Sequence, residues 1–141
     1  MIDIFYPPKV VVRVPCAIIE HEGLILAAQR SAFLSFPLKW EFPGGKQEKG
    51  ETDHETLVRE IREELNVEIE ILEELPPTPR DQGWREIILV PFVCNLKSYE
   101  FKLTEHEQIL WLPPSELYSL DWTEADLEII ENYGKFLSLK S

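Results

Sequence analysis

Glu60, Glu63 and Glu64, in the run Arg59-Glu60-Ile61-Arg62-Glu63-Glu64-Leu65, constrain this chain more than any other feature. Leu57, Ile61 and Leu65 recur at every fourth position and Val58 widens their stripe, which predicts an amphipathic helix with that face turned to a core. The spacing i, i+3, i+4 then sets the three carboxylates on one side of one turn. Like charges this close repel. The crowding is relieved either by pairing with Arg59 and Arg62 or by a hard divalent cation, since Mg2+ and Mn2+ prefer oxygen ligands.

The helix has readable ends. Thr52 followed by Glu55 matches a capping box and predicts a start near Thr52. Asn66 stands where a left-handed C-cap residue belongs. Upstream, Trp40-Glu41-Phe42-Pro43-Gly44-Gly45-Lys46 reads as a short extended stretch and a turn, in which the glycines let a ligand approach the backbone. Glu51 precedes the cap and can swing toward the acidic face, and Arg59 stands i, i+4 from Glu63 and can hold that carboxylate. A cation held this way suits phosphate chemistry, because it neutralises phosphate oxygens and lowers the pKa of a bound water.

The rest reads as scaffold. Residues 9–20 predict a strand, with Pro15 implying an edge position or a bulge. His21-Glu22-Gly23 is a turn, and residues 24–29 the returning strand of a hairpin. Residues 30–39 form a loop whose Phe33, Leu34, Phe36 and Leu38 are expected to pack on the core or on a ligand. Residues 67–75 alternate as a half-buried strand, ended or interrupted by Pro76-Pro77-Thr78-Pro79. Residues 84–96 predict a long strand, again with an edge or bulge at Pro91. Residues 99–103 are a weaker extended stretch, 108–112 a short strand, and 115–118 a helical turn capped by Ser115. Thr123 caps a final helix over 124–137 with Leu127, Ile130, Tyr133 and Leu137 as its inner stripe.

A length of 141 residues without linker or repeat predicts one domain over 1–141. The net charge of −12, from 14 basic and 26 acidic residues, opposes binding to nucleic acid polymers and anionic lipid. The apolar runs are too short to span a bilayer, and the N-terminus lacks the basic region of a signal peptide. The two cysteines, Cys16 and Cys94, lie in apolar strand-like segments, as buried free thiols of a reducing cytosol do.

Taken in order, Gly45, five residues, Glu51, seven residues, Arg59-Glu60-Ile61-Arg62-Glu63-Glu64-Leu65, then Asn66 and Val67, resemble the Nudix box of the Nudix hydrolases. Asn66 departs from the family's Gly at a helix C-cap, where Asn tolerates the same backbone. The flank Trp40 to Lys46 resembles the MutT-like branch, and the likeness extends from about residue 10 to 133. It implies an α/β (α+β) fold, a Nudix-type α/β/α sandwich around a mixed, partly antiparallel sheet.

The resemblance also implies an activity. MutT-like enzymes hydrolyse (deoxy)nucleoside triphosphates, some of them oxidised or otherwise modified, by water attack at the β-phosphorus, to a monophosphate and pyrophosphate. By motif position Glu60, Glu63 and Glu64 would ligate Mg2+, with Mn2+ as a substitute and the Gly44 carbonyl as a further ligand. Arg59 would orient a glutamate and Glu51 support the cluster. The base would be a box glutamate such as Glu63, or a loop acid, Glu105 before Glu107 in preference. Arg30, Arg85 and Asp126 stand where the branch contacts phosphate or base, and the aromatic rings of Phe42 and Trp40 are candidates to stack on or wall the base. Guanine-selective relatives carry Asn at the Asp126 position. An ionised Asp only accepts hydrogen bonds, which favours a base with an exocyclic amino group and weakens an assignment to 8-oxo-dGTP. The implied partner is a small nucleotide, in a cytoplasmic monomer or homodimer. The competing readings are another nucleoside diphosphate derivative (ADP-ribose, a nucleotide sugar, a dinucleoside polyphosphate) and a catalytically silent nucleotide-binding domain.

Overall fold

The computed structural model describes residues 8–140, so the reading of residues 1–7 lies outside it. A long β-branched strand, β1 (Val10–His21), forms the axis of the fold. It pairs in parallel with β6 (Arg85–Leu96), from Val10 opposite Arg85 to Glu20 opposite Asn95. The turn at Glu22-Gly23, both with positive φ, returns the chain as β2 (Leu24–Arg30), antiparallel to β1. Beyond β2 lies the short β3 (Trp40–Glu41), and β4 (Ile69–Glu74) covers the far side of β6, giving the order β3-β2-β1-β6-β4. Two further strands pair off this path: β5 (Thr78–Asp81) on β6, and β7 (His106–Leu112) on β2. The sheet is therefore mixed, with one parallel pair among antiparallel ones.

Successive side chains of β1 alternate between two cores. Cys16 and Ile18 join Phe42, Trp122, Ile129, Ile130 and Tyr133 under α2 (Glu124–Lys140). Ala17 and Ile19 join Leu57, Ile61, Leu65 and Phe92 under α1 (Asp53–Leu65). A helix on each face makes the expected sandwich. Cys16 and Cys94 are buried and free, and they belong to opposite faces of the sheet. No helix among the described residues is long and apolar enough to cross a membrane.

The ends of α1 are as expected. Thr52 Oγ1 accepts from Glu55 N at 3.1 Å and Glu55 Oε1 from Thr52 N at 3.0 Å, and Asn66 adopts φ 61° as the left-handed cap. Residues 99–103 form no strand; instead Lys102 N and Thr104 N donate to the carbonyls of Leu65 and Glu64, satisfying the end of α1.

Several expectations are overturned. β1 is an interior strand, and Pro15 sits neither at an edge nor in a bulge. Its missing N–H faces residues 43–47, where Ala17 N to Pro43 O (2.8 Å), Gly45 N to Pro15 O (3.2 Å) and Gln47 N to Arg13 O (2.9 Å) tie that segment to β1. Pro91 is likewise interior, opposite residues 75–77, where Pro76-Pro77 breaks the partner between β4 and β5. The run at 76–79 interrupts the strand rather than ending it, for residues 78–81 form β5 on the same partner; Pro79 is tolerated because β5 pairs on one side alone. Ser115 caps nothing: the 3-10 turn Pro114–Ser119 follows Pro113 without a side-chain cap. Leu127 is 39% exposed, and the inner face of α2 runs instead through Asp126, Ile129, Ile130 and Tyr133. The loop 31–38 does not pack on the core, since Phe33 is 95% exposed and Phe36, Leu34 and Leu38 are also exposed.

Candidate active site

The glycine turn lies against β1 with no room for side chains. A Cβ on Gly44 would stand 2.1 Å from the Pro15 carbonyl oxygen, and one on Gly45 2.2 Å from Glu60 Cδ. Gly44 faces Cys16 between two flanking hydrogen bonds, so its own N–H and C=O point away from β1. The Gly44 carbonyl is thus open to a ligand, and the Glu60 carboxylate lies against the neighbouring glycine.

Arg59 gathers the acidic face. Its strongest contact is with Glu51 rather than Glu63: Nε to Oε2 at 2.6 Å and Nη2 to Oε1 at 2.8 Å. Nη1 reaches Glu60 Oε1 at 2.9 Å and Glu63 Oε2 at 3.2 Å. Glu51 also accepts from Glu48 N and Thr56 Oγ1. The Arg59 guanidinium beside it, with these bonds, holds the Glu51 carboxyl down to about 2. Glu51 is therefore the anchor of Arg59.

Glu64 is in the opposite condition. It is 6% exposed, and its Oε2 is buried without a hydrogen-bond partner. Burial pushes its carboxyl up to about 9, and the charges of Glu105, Glu60 and Glu41 add to the rise. Among the described residues, no three His, Cys, Asp or Glu side chains close on one point as ligands of an ion. The electrostatics explain the spread: Arg59 draws Glu60 and Glu63 toward itself, and Glu64 takes a proton. A divalent cation fits this donor set, for it would satisfy the orphaned Glu64 oxygen and displace its proton.

The sign of that linkage is testable. Glu64 titrates at about 9 in the fold against an ordinary value of 4.5, so between these values the folded state holds a proton that the unfolded chain has released. Stability of the metal-free protein falls as pH rises through that window. Asp126, pushed from 3.8 up to about 7, acts in the same sense over a lower window. In EDTA the Tm is expected to drop between about pH 7 and 9, a drop that Glu64→Gln removes and Mg2+ offsets by favouring the ionised form. A Tm in EDTA that stays flat across that range would contradict the Glu64 environment.

Beside the acidic face opens a cavity of about 240 Å3. Glu64 and Glu105 stand in its wall, as do Glu41, Phe42 and Asp126, with Leu34 contributed by the exposed loop. Glu107, by contrast, is exposed on β7 outside it. A larger cavity, about 540 Å3, opens at the other end of β1 by Glu20, His21 and Tyr99, with none of the acidic helix in its wall.

The residues expected to recognise substrate divide. Phe42 lines the cavity, its ring 4.8 Å from Trp122, and Asp126 lines it with Oδ1 accepting from Phe42 N at 3.0 Å and Oδ2 from Thr123 Oγ1. Burial pushes the Asp126 carboxyl up to about 7, while both of its oxygens accept hydrogen bonds. Arg30 also stands in the wall, but its guanidinium is engaged: Nη1 donates to Glu41 Oε1 at 2.7 Å and Nε to Ser35 O at 2.8 Å. Trp40 does not line the cavity; it is buried in the core beneath α2. Arg85 is absent from the wall too, lying 4.7 Å over the Trp84 ring and bonded to Gln82.

Two wall residues carried no sequence signal of a role. Glu41 lay unremarked in the flank, and His106 lay just ahead of a predicted strand. Cross-strand pairing of Arg30 with His106 and of Ala28 with Glu41 brings them together.

An α/β/α sandwich in which a glycine turn and an acidic helix flank a cavity walled by carboxylates and an aromatic ring is the architecture of a nucleotide hydrolase domain. The NUDIX domain profile matches residues 9–133, and the chain belongs to the Nudix hydrolase family. It is 34% identical over 122 residues to the CTP pyrophosphohydrolase of Escherichia coli strain K12, covering 86% of this chain and 90% of that protein. It is 32% identical over 123 residues to the nucleoside triphosphatase NudI of Enterobacter sp. strain 638, covering 78% and 87%. The solution structure of the E. coli ORF135 protein superposes with a TM-score of 0.80 at 32% identity, covering 94% of this chain and 93% of that one.

Proposed function

We propose that this protein hydrolyses (deoxy)nucleoside triphosphates to a nucleoside monophosphate and pyrophosphate, by water attack at the β-phosphorus. The observation that carries the reading is one cavity whose wall holds the carboxylates of Glu64 and Glu105 together with Phe42 and Asp126. Its names among relatives, a CTP pyrophosphohydrolase and a nucleoside triphosphatase, support the same substrate class.

Glu60, Glu63, Glu64 and the Gly44 carbonyl would hold Mg2+, with Mn2+ as a substitute. When bound, the cation neutralises phosphate charge and lowers the pKa of a coordinated water. Arg59, clamped by Glu51, keeps Glu60 against Gly45. Glu105, in the wall beside Glu64, accepts the proton of the attacking water. Phe42 offers a ring face to the base, and Leu34 covers it from the rim. Asp126 bonds its edge. The setting is the cytoplasm and the role one of nucleotide-pool sanitation or balance.

The test is product analysis with Mg2+ and a panel of canonical and modified (d)NTPs, ADP-ribose, a nucleotide sugar and a dinucleoside polyphosphate, run in 18O-labelled water. Triphosphates are expected to yield monophosphate and pyrophosphate with the label in pyrophosphate. Label in the monophosphate, release of orthophosphate, or turnover of only the other substrates overturns the reading.

A further inference from the structure

His106 opens β7 opposite Arg30, and its side chain is 3% exposed. Its Nε2 lies 3.0 Å from Glu41 Oε2, while Arg30 Nη1 donates to the other Glu41 oxygen at 2.7 Å. Burial pushes the Glu41 carboxyl up, but the bonds from His106 and Arg30 outweigh it and hold the group below its ordinary value. Glu41 is therefore ionised, and an ionised carboxylate only accepts. The proton between the two residues accordingly sits on His106 Nε2. The other ring nitrogen, Nδ1, is buried with no partner.

A buried polar atom without a partner destabilises the fold. Packing alone therefore gives no reason for a histidine here, since Phe fills a similar space without that cost. The reason lies at Nε2. Glu41 shares the cavity wall with Glu64, Glu105, Phe42 and Asp126, next in the chain to Phe42, whose N–H donates to Asp126 Oδ1 at 3.0 Å. Each of its oxygens has accepted one of these two protein donors, and each retains a lone pair for a ligand.

The geometry points to His106 as a positioning residue: its Nε2–H, together with Arg30, holds the Glu41 carboxylate as a fixed acceptor for the exocyclic amino group of the substrate's base. A base with a keto oxygen at that place sets lone pair against lone pair, and a carboxylate held from both sides cannot turn away from it. His106 so governs the discrimination of amino from keto bases, resting on the reading of the cavity as a nucleotide site.

The test compares kcat and KM for CTP and UTP in the wild type, His106→Phe and His106→Gln, with Tm measured on each. The wild type is expected to favour CTP. His106→Phe is expected to lower the CTP/UTP ratio of kcat/KM about tenfold through KM for CTP, with kcat held and Tm unchanged or raised. His106→Gln, whose amide nitrogen can occupy the place of Nε2, restores most of the ratio. Should the Phe variant fail to fold, His106→Asn, too short to reach Glu41, reads the same loss. An unmoved ratio, an equal loss on both substrates, or no rescue by Gln overturns the proposal. Metal-free calorimetry with CMP and UMP separates this from the reaction itself. A wild type that binds CMP over UMP but cleaves neither triphosphate overturns the proposed reaction alone. One that binds the two alike overturns the role of His106 and Glu41.

Discussion

Glu64→Gln is expected to lower kcat by roughly a thousandfold or more while the fold survives intact. Metal-supplied charge stabilisation is worth several kcal/mol, and each ~1.4 kcal/mol is tenfold in rate. Glu64 is the proposed ligand that the rest of the protein serves least: its Oε2 has no partner, and burial with three acidic neighbours pushes its carboxyl up to about 9. A cation supplies what is missing; Gln keeps the shape and removes the charge. Because the group is already protonated at neutral pH without metal, the substitution leaves Tm unchanged or raised. Glu63→Gln is expected to cut kcat as well, with less effect on stability, since Glu63 is 58% exposed and held only through Arg59. Steady-state kinetics over a Mg2+ titration, beside thermal unfolding, decide the matter. Near-normal turnover in both variants would sink the metal site.

Gly45→Ala and Gly44→Ala should part company. At Gly45 the new Cβ meets the end of the Glu60 side chain, with Cδ at 2.2 Å and Oε2 at 2.4 Å. A flexible carboxylate can leave, so the protein folds, but Glu60 loses its seat between Arg59 and the turn. The expected result is a loss of kcat of about a hundredfold with Tm within a few degrees of wild type, as a displaced catalytic group predicts. At Gly44 the Cβ meets backbone, the Pro15 carbonyl at 2.1 Å and Cys16 Cα at 2.7 Å, in an interior strand that cannot move alone. Overpacking of that kind costs about 3 kcal/mol, or roughly 10 °C of Tm in a domain of this size. Equal Tm losses in the two variants would contradict the placement of Glu60 against Gly45.

The acidic helix was legible before any coordinates because its information is short-range. The stripe Leu57-Ile61-Leu65, the Thr52–Glu55 box and the Asn66 cap each depend on residues within one or two turns, and all appear in α1. The prolines were misread for the converse reason. Pro15 and Pro91 raise a question about which side of a strand lacks a donor, and the answer depends on what lies on that side: residues 43–47 for one, the Pro76-Pro77 gap for the other. Leu127 was misplaced because helical spacing alone admits neighbouring stripes, and only the sheet beneath α2 selects the one through Asp126 and Tyr133.

The chain's own order of residues determined the Nudix box and, through the family resemblance it carries, implied the sandwich, since a motif of this spacing and a helix with these caps are local facts. Tertiary structure decided the cavity. Arg30, Glu41, His106 and Asp126 come from four separate elements, and the first three meet through cross-strand pairs that no local periodicity encodes. Tertiary structure likewise removed Trp40 and Arg85 from that wall, and made Arg59 a partner first of Glu51. It also set the protonation of Glu64 and Asp126, because burial, which shifts a carboxyl upward, is a property of the folded surroundings and not of the residue.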